Sequence, residues 1–147
     1  MPAPERRSGP EPALPLVTDI QRAVHVLGLH LEVALADLRL SQGEIHVLSL
    51  LGHTGTMSVT ELQRGVRHRP STLTGILDRL GGRGLIERRI NEADRRSNLI
   101  ELTPQGREAA ARVLAAMAEI ERRLLAGRSP EQIGAVREIL DEIARSL

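Results

Sequence analysis

Residues 58–103 read SVTELQRGVRHRPSTLTGILDRLGGRGLIERRINEADRRSNLIELT, and the hydrophobic period changes twice within this stretch. Its first half holds two short segments with apolar residues at helical spacing, separated by a brief polar break. Its second half holds two segments of alternating apolar and polar residues on either side of a polar tip over residues 91–98. The order predicts a helix, a turn, a second helix and a β-hairpin.

The positive charge of the chain is concentrated on this stretch. Residues 58–98 carry nine Arg and five acidic residues, a charge of +4, whereas the remainder carries eleven Arg and fourteen acidic residues, a charge of −3. Together they give the net charge of +1 for all 147 residues. A charged run is often only a solvated surface, but a basic helix-turn-helix with an arginine-tipped hairpin is typical of winged helix-turn-helix domains. We therefore expect a mainly α fold with a small β-wing, and double-stranded DNA as the partner.

The composition excludes several other classes of function. The chain has no Cys, which excludes disulfides, thiolate metal sites and thiol-based redox sensing. It has no Phe, Tyr or Trp, so bases cannot stack on aromatic side chains, as they do in most single-strand and RNA recognition. No apolar run is long enough to span a bilayer and the start lacks a signal-peptide core, so we expect a cytoplasmic protein without membrane contact. The Pro-rich residues 1–15 are predicted to form a disordered arm.

Capping signals divide residues 16–147 into six helices within a single predicted domain. Two capping boxes, Ser41–Glu44 and Ser58–Glu61, mark the starts of the second and third helices. Pro70 suits the first turn of the fourth helix, and a Thr or Ser followed by Pro marks the starts of the fifth and sixth, at Thr103–Pro104 and Ser129–Pro130. Glycines at 81, 82 and 84 end the fourth helix. The winged helix-turn-helix is thus predicted over about residues 41–102, between helical regions at about 16–38 and 104–147.

The first and last helices carry apolar stripes that exceed what a small winged domain needs to cover itself. Surplus apolar helix faces usually meet a partner chain, so we expect a homodimer in which these helices interleave. Such a dimer would present two recognition helices to an inverted repeat. The predicted dimerisation residues are Ile20, Val24, Leu27, Ile139, Leu140 and Ile143.

Two segments, STLTGILDRLGGRGLIERR (71–89) and DRRSNLIELTPQG (94–106), resemble the MarR (multiple antibiotic resistance regulator) family of winged-helix transcription factors. With the six-helix order, the resemblance covers roughly Leu16 to Leu147. It implies a homodimer with a recognition helix in the major groove and wings in the flanking minor groove. It also implies a repressor that is released by a small aromatic or phenolic ligand, and it implies no cofactor.

In the recognition helix, the resemblance assigns DNA contacts to Ser71, Thr72 and Thr74. Short hydroxyl side chains in the first turns of a helix can reach phosphates or base edges. The alternative, which is equally open for Ser71, is that these residues only cap the helix and cover its surface.

Three further residues around this helix are candidates for phosphate contact. Arg69 and His68 lie immediately before the helix, and Arg79 lies on its exposed face. Arg79 has an alternative role, since it could simply pair with Asp78 or Glu87.

In the wing, the resemblance assigns backbone and minor-groove contact to Arg95 and Arg96, because narrow minor grooves attract arginine. Asp94 is predicted to organise the wing by an ion pair with an arginine, without touching DNA.

Gly75 departs from the family pattern, which often has a longer polar or basic residue there. Glycine removes a base contact and costs the helix roughly 1 kcal/mol relative to alanine. Glycine at this position is therefore expected to weaken direct readout of the operator, whereas the arginines of the motif maintain DNA binding.

The five His residues do not have metal-ligand spacing, so no metal site is predicted. His46 and His53, for example, are two helical turns apart, about 10.5 Å. By analogy with the family, an effector would bind between the first, second and fifth helices, near His30, His46 and Arg112.

Two functional alternatives remain, while an enzyme is rejected because no nucleophile motif, phosphate loop or metal motif is present. One is a winged-helix dimer that acts mainly through protein partners or non-specific DNA binding. The other is a metal-responsive repressor, which differs only in its effector.

Overall fold

The helices and strands occur in the predicted order in the computed structural model, which describes residues 15–146. The helices are α1 Leu16–Ala34, α2 Gln42–Thr54, α3 Val59–Val66, α4 Pro70–Gly82, α5 Pro104–Leu125 and α6 Pro130–Ser146. The strands are β1 Met57–Ser58, β2 Ile86–Ile90 and β3 Asn98–Leu102. This confirms the mainly α fold with a small β-wing. The predicted disordered arm, except for Pro15, lies outside the described residues.

Local capping explains why α2 and α3 begin where the sequence predicts. The Ser41 hydroxyl accepts a hydrogen bond from the Glu44 N–H at 3.3 Å, and the Glu44 carboxylate accepts one from the Ser41 N–H at 2.8 Å. Ser58 and Glu61 form the same reciprocal pair at 3.2 and 2.7 Å. Each box satisfies two amides that a helix start otherwise leaves unpaired.

The first helix is shorter than its apolar spacing predicts. It ends at Ala34, and a 3-10 turn over Ala36–Leu38 leads to Arg39 in the left-handed conformation (φ 49°). The turn directs Leu35 and Leu40 into the core, where they are buried. Arg83 holds the turn, donating to the carbonyls of Leu38 at 2.5 Å and Arg39 at 3.2 Å. The apolar spacing continues through the break, and the contacts that hold the turn are long-range, so the sequence did not predict where α1 ends.

The core lies beneath the helix-turn-helix and the wing. The sheet order is β1-β3-β2, with all neighbours antiparallel. The short β1 was not predicted; it pairs with β3 and places Met57 opposite the fully buried Ile100. Neither α1 nor α6 contributes a buried residue.

Within residues 15–146 no helix combines the length and apolar character needed to cross a bilayer.

The capping box of α3 leads to a prediction about acid stability. Hydrogen bonds from the Ser58 N–H, and then from its hydroxyl, hold the pKa of Glu61 below its ordinary value. A lowered folded-state pKa contributes stability above the ordinary carboxyl pKa, and that contribution is lost as pH falls through the lowered value. We expect Glu61→Gln to reduce the pH dependence of the urea midpoint between about pH 3 and 6. Glu92→Gln in the exposed wing tip is the control, and an identical loss of slope in both variants would contradict the prediction.

Candidate nucleic-acid interface

The recognition helix α4 packs against the core on one face and is exposed to solvent on the other. Its buried side chains Leu73, Ile76, Leu77 and Leu80 are at most 2% exposed and face the core. The exposed side presents the predicted contact residues Ser71, Thr72 and Thr74. The N-cap is Arg69, with no side-chain capping bond, so Ser71 does not cap this helix. The Thr74 hydroxyl donates back to the Pro70 carbonyl at 3.0 Å.

The turn between α3 and α4 presents exposed arginines. Arg67 ends α3 in the left-handed conformation (φ 52°), and Arg69 then adopts extended backbone before Pro70 starts α4. Arg64, Arg67 and Arg69 are all exposed. Arg69 therefore lies where the sequence predicted, at the start of the recognition helix.

His68 lies differently from the prediction. Its ring is half-buried, with its centroid 6.0 Å from that of His46 on α2. Its Nε2 is enclosed and has no hydrogen-bond partner in the described part of the chain. The predicted phosphate contact is therefore wrong for this nitrogen, which faces the protein because α2 packs beside the turn. Partial burial, and secondarily the neighbouring His68, lowers the pKa of His46.

Arg79 pairs with a residue that sequence reasoning missed. Its Nε donates to Glu44 at 3.1 Å, so its ion pair is not the alternative one with Asp78 or Glu87. Glu44 is only 4% exposed, and Arg83 approaches its other carboxylate oxygen at 3.9 Å. The capping box identified Glu44 as a helix start, but no local signal relates it to an arginine 35 residues later.

The wing tip is organised by hydrogen bonds between backbone and short side chains. The Asp94 carboxylate accepts from the Arg96 N–H at 3.0 Å, and the Asp94 carbonyl accepts from the Ser97 N–H at 2.9 Å. The Asn91 side-chain oxygen accepts from the Ala93 N–H at 3.0 Å. Asp94 thus lies at the centre of the tip, but the predicted ion pair with an arginine is absent within residues 15–146. Its organising contact is an Asx-type turn.

The arginines of the motif fall into two groups. Four of the nine are in ion pairs: Arg79 and Arg83 with Glu44, Arg88 with Asp78 at 2.5 Å, and Arg89 with Glu87 and Glu101. The other five lie in no ion pair within residues 15–146, and all five are exposed: Arg64, Arg67, Arg69, Arg95 and Arg96. The wing tip and the helix-turn-helix thus each present uncompensated positive charge.

The predicted dimerisation residues lie on open apolar surfaces. Val24 is 60% exposed, Leu27 37%, Ile139 49%, Leu140 50% and Ile143 36%, whereas Ile20 is half-buried. Leu27 and Leu140 line a groove of about 660 Å³ between α1, α5 and α6. The other apolar side chains of this groove are Leu31, Met117, Ile120, Leu124, Leu125, Ile133 and Val136.

The three candidate effector residues lie in different surroundings. Arg112 makes a two-point ion pair with Asp37, at 2.7 and 2.9 Å, which lowers the pKa of that carboxyl. His30 is exposed on α1, and His46 faces His68. None of the three lines the apolar groove or a second cavity of about 400 Å³ between α2, β3 and α5. Residues 15–146 contain no group of three His, Asp or Glu side chains able to hold a metal ion.

Gly75 lies in an open part of the recognition helix. A Cβ added there would meet only Arg79 Nη1, at an ordinary 3.5 Å. We expect Gly75→Ala to stabilise the protein by about 1 kcal/mol, because alanine restricts the unfolded chain and suits a helix interior. Thermal unfolding should show a rise of roughly 2–4 °C. The comparison is Gly106→Ala, whose Cβ would lie 1.7 Å from the Leu85 carbonyl oxygen and should destabilise. Equal shifts in both variants would refute this account.

Comparisons with known proteins place the chain among regulators. The MarR family model matches residues 40–97. The uncharacterized HTH-type transcriptional regulator YfiV of Bacillus subtilis (strain 168) is 34% identical over 111 residues, 75% of this chain and 69% of YfiV. The HTH-type transcriptional repressor MdtR of the same organism is 28% identical over 135 residues, 89% of this chain and 87% of MdtR. The crystal structure of NadR in complex with 4-hydroxyphenylacetate matches 99% of both chains at 21% identity, with a TM-score of 0.79.

Proposed function

The chain belongs to the MarR family of transcriptional regulators, and on that premise we propose that it binds an inverted-repeat operator in double-stranded DNA as a homodimer and represses transcription. It acts in the cytoplasm on its DNA target, without an enzymatic step. The relative MdtR is a repressor, which supports the direction of regulation.

The observation that carries this proposal is the set of five exposed arginines on the helix-turn-helix and wing tip that form no ion pair within residues 15–146. An arginine whose charge is already compensated gains little from a phosphate, whereas an uncompensated one releases counterions when it binds. These arginines lie on both sides of the exposed face of α4 that carries Ser71, Thr72 and Thr74. This arrangement suits a helix that lies in the major groove with a wing at its side.

The homodimer is supported by the apolar faces of α1 and α6. These helices expose several large apolar side chains, Val33 at 76% among them, and they bury none in the core. Leaving such surfaces in water is costly, and a second copy covers them by the same residues under twofold symmetry. The symmetry also relates the two recognition helices, which then face half-sites about one helical turn apart.

We further propose that a small aromatic or phenolic ligand releases the repressor. NadR, which shares the fold, was crystallised with 4-hydroxyphenylacetate. A ligand that binds more tightly when the two recognition helices are wrongly spaced for DNA shifts the population toward that state.

Selection of bound duplexes from random DNA, with purified protein at physiological salt, tests the proposal. We expect enrichment of one inverted repeat. A folded, dimeric protein that enriches no sequence would contradict sequence-specific regulation and favour the alternative, a dimer that acts through protein partners or non-specific DNA binding.

A further inference from the structure

The open space at Gly75 is adjoined by a single side chain. A Cβ at this position would meet only Arg79 Nη1, one turn further along α4. Positions 75 and 79 share a helix face with the exposed Ser71, on the side opposite the buried Leu73 and Leu77. The guanidinium of Arg79 therefore lies beside the space that a larger side chain at position 75 would fill.

A buried carboxylate holds this guanidinium in place. Glu44 accepts the Arg79 Nε–H at 3.1 Å, and its side chain is 5% exposed, whereas that of Arg79 is 57% exposed. Glu44 is itself held at the start of α2 by the Ser41 N–H at 2.8 Å. The Nε–H is thereby used, while the N–H donors of both Nη atoms form no hydrogen bond within residues 15–146 of this half-exposed side chain.

This arrangement suits a base edge better than a phosphate. The carboxylate of Glu44 lies closer to Arg79, at 3.1 Å, than to Arg83, at 3.9 Å, and compensates part of the Arg79 charge, so Arg79 adds less to phosphate attraction than an arginine outside any ion pair. Its Nη donors still match the two acceptors that guanine presents in the major groove. Because the guanidinium is already oriented, less conformational entropy is lost when it forms this contact.

We propose that Arg79 is the base-reading residue of the recognition helix, lying over Gly75 and oriented by Glu44, which acts as a positioning residue. The inference rests on the proposed function and adds to it the residue that determines part of the operator specificity. Glycine at 75 thus leaves room for readout by Arg79, one turn away.

The test uses the full-length protein and the operator obtained by selection. Affinities are measured for the selected duplex and for duplexes substituted at single base pairs of each half-site. Ratios of these affinities do not depend on the fraction of protein that is folded. Arg79→Ala should lose about a five- to 150-fold preference at one base pair per half-site, with preferences elsewhere retained. Its salt slope should stay close to that of the wild type.

Glu44→Gln is the second variant, since it keeps the shape of the side chain and removes its charge. It should weaken the preference at the same base pair, and it should change nothing further in an Arg79→Ala background, because the two residues act as one unit. Glu44→Asp, which keeps the charge but shortens the reach of the carboxylate by one methylene, tests the positioning role in another way if the glutamine variant does not fold. Arg122→Ala, in the last turn of α5, controls for the loss of one positive charge.

The outcomes separate this inference from the proposed function. A wild-type protein with no preferred operator would overturn both. A wild-type motif that Arg79→Ala retains in full would overturn only the role of Arg79. A lower salt slope in Arg79→Ala with unchanged base preferences would identify Arg79 as a phosphate contact and overturn it as well. A change at a different base pair in Glu44→Gln would overturn the positioning role of Glu44.

Discussion

Replacing Arg95 and Arg96 together by alanine should weaken operator binding and flatten its dependence on salt. Both side chains are exposed at the wing tip and neither is in an ion pair within residues 15–146. A phosphate contact contributes about 0.9 to the slope of log affinity against log salt, so four such arginines in a dimer contribute up to about 3.6. When salt is raised from 50 to 200 mM, the variant should therefore lose roughly a hundredfold less affinity than the wild type loses.

The wing geometry makes this prediction specific to the side chains. The tip is held by hydrogen bonds of Asn91, Asp94 and Ser97, and only the backbone N–H of Arg96 takes part. Alanine at 95 and 96 therefore keeps the tip intact and removes only the charges. The matched control is Arg122→Ala with Arg123→Ala, which removes two adjacent arginines from the last turn of α5. An unchanged slope in the wing variant, or an equal reduction in the control, would show that the wing does not contact the phosphates.

Replacing Leu140 by glutamate should dissociate the homodimer. Leu140 is 50% exposed in the single chain and lines the apolar groove between α1, α5 and α6. If the partner covers this groove, each copy of the glutamate loses its hydration in an interface that is mostly apolar, at a cost of about 3 kcal/mol. Two copies per dimer raise the dissociation constant by about four powers of ten. Sedimentation velocity over a range of protein concentrations measures this change.

The same variant separates dissociation from unfolding. α6 contributes no buried residue to the core of the single chain, so the variant monomer should keep its helical circular dichroism. Glu138→Arg changes charge on the other side of α6, about 200° from Leu140 at 100° per residue, and should remain dimeric. A Leu140→Glu protein that stays dimeric at low concentration and binds the inverted repeat normally would exclude this groove as the interface.

The sequence predicted well wherever a structural feature depends on neighbouring residues. The starts of α2 and α3 were predicted because a capping box is complete within four residues. The wing was predicted from alternation and a polar tip, and Asp94 was identified as its organiser. The kind of bond was wrong, since the Asp94 carboxylate accepts from the backbone N–H of Arg96 in an Asx turn, which no charge pattern reveals.

Features that join distant parts of the chain could not be predicted in this way. The turn that follows α1 is held by Arg83, which lies 45 residues beyond the Leu38 carbonyl that it contacts. The ion pair between Arg112 and Asp37 spans 75 residues and engages a residue that was expected in an effector site. The enclosure of His68 depends on α2 packing beside the turn.

The sequence by itself therefore determined the order of the elements, the location of the positive charge and the apolar stripes of the first and last helices. These follow from spacing, capping and composition, which act over one or two helical turns. Only the tertiary structure decided which arginines form no ion pair within residues 15–146 and which are held by a carboxylate. That distinction depends on which charges fold to within a few ångströms of each other, because ion-pair energies fall with distance in space and are indifferent to distance along the chain.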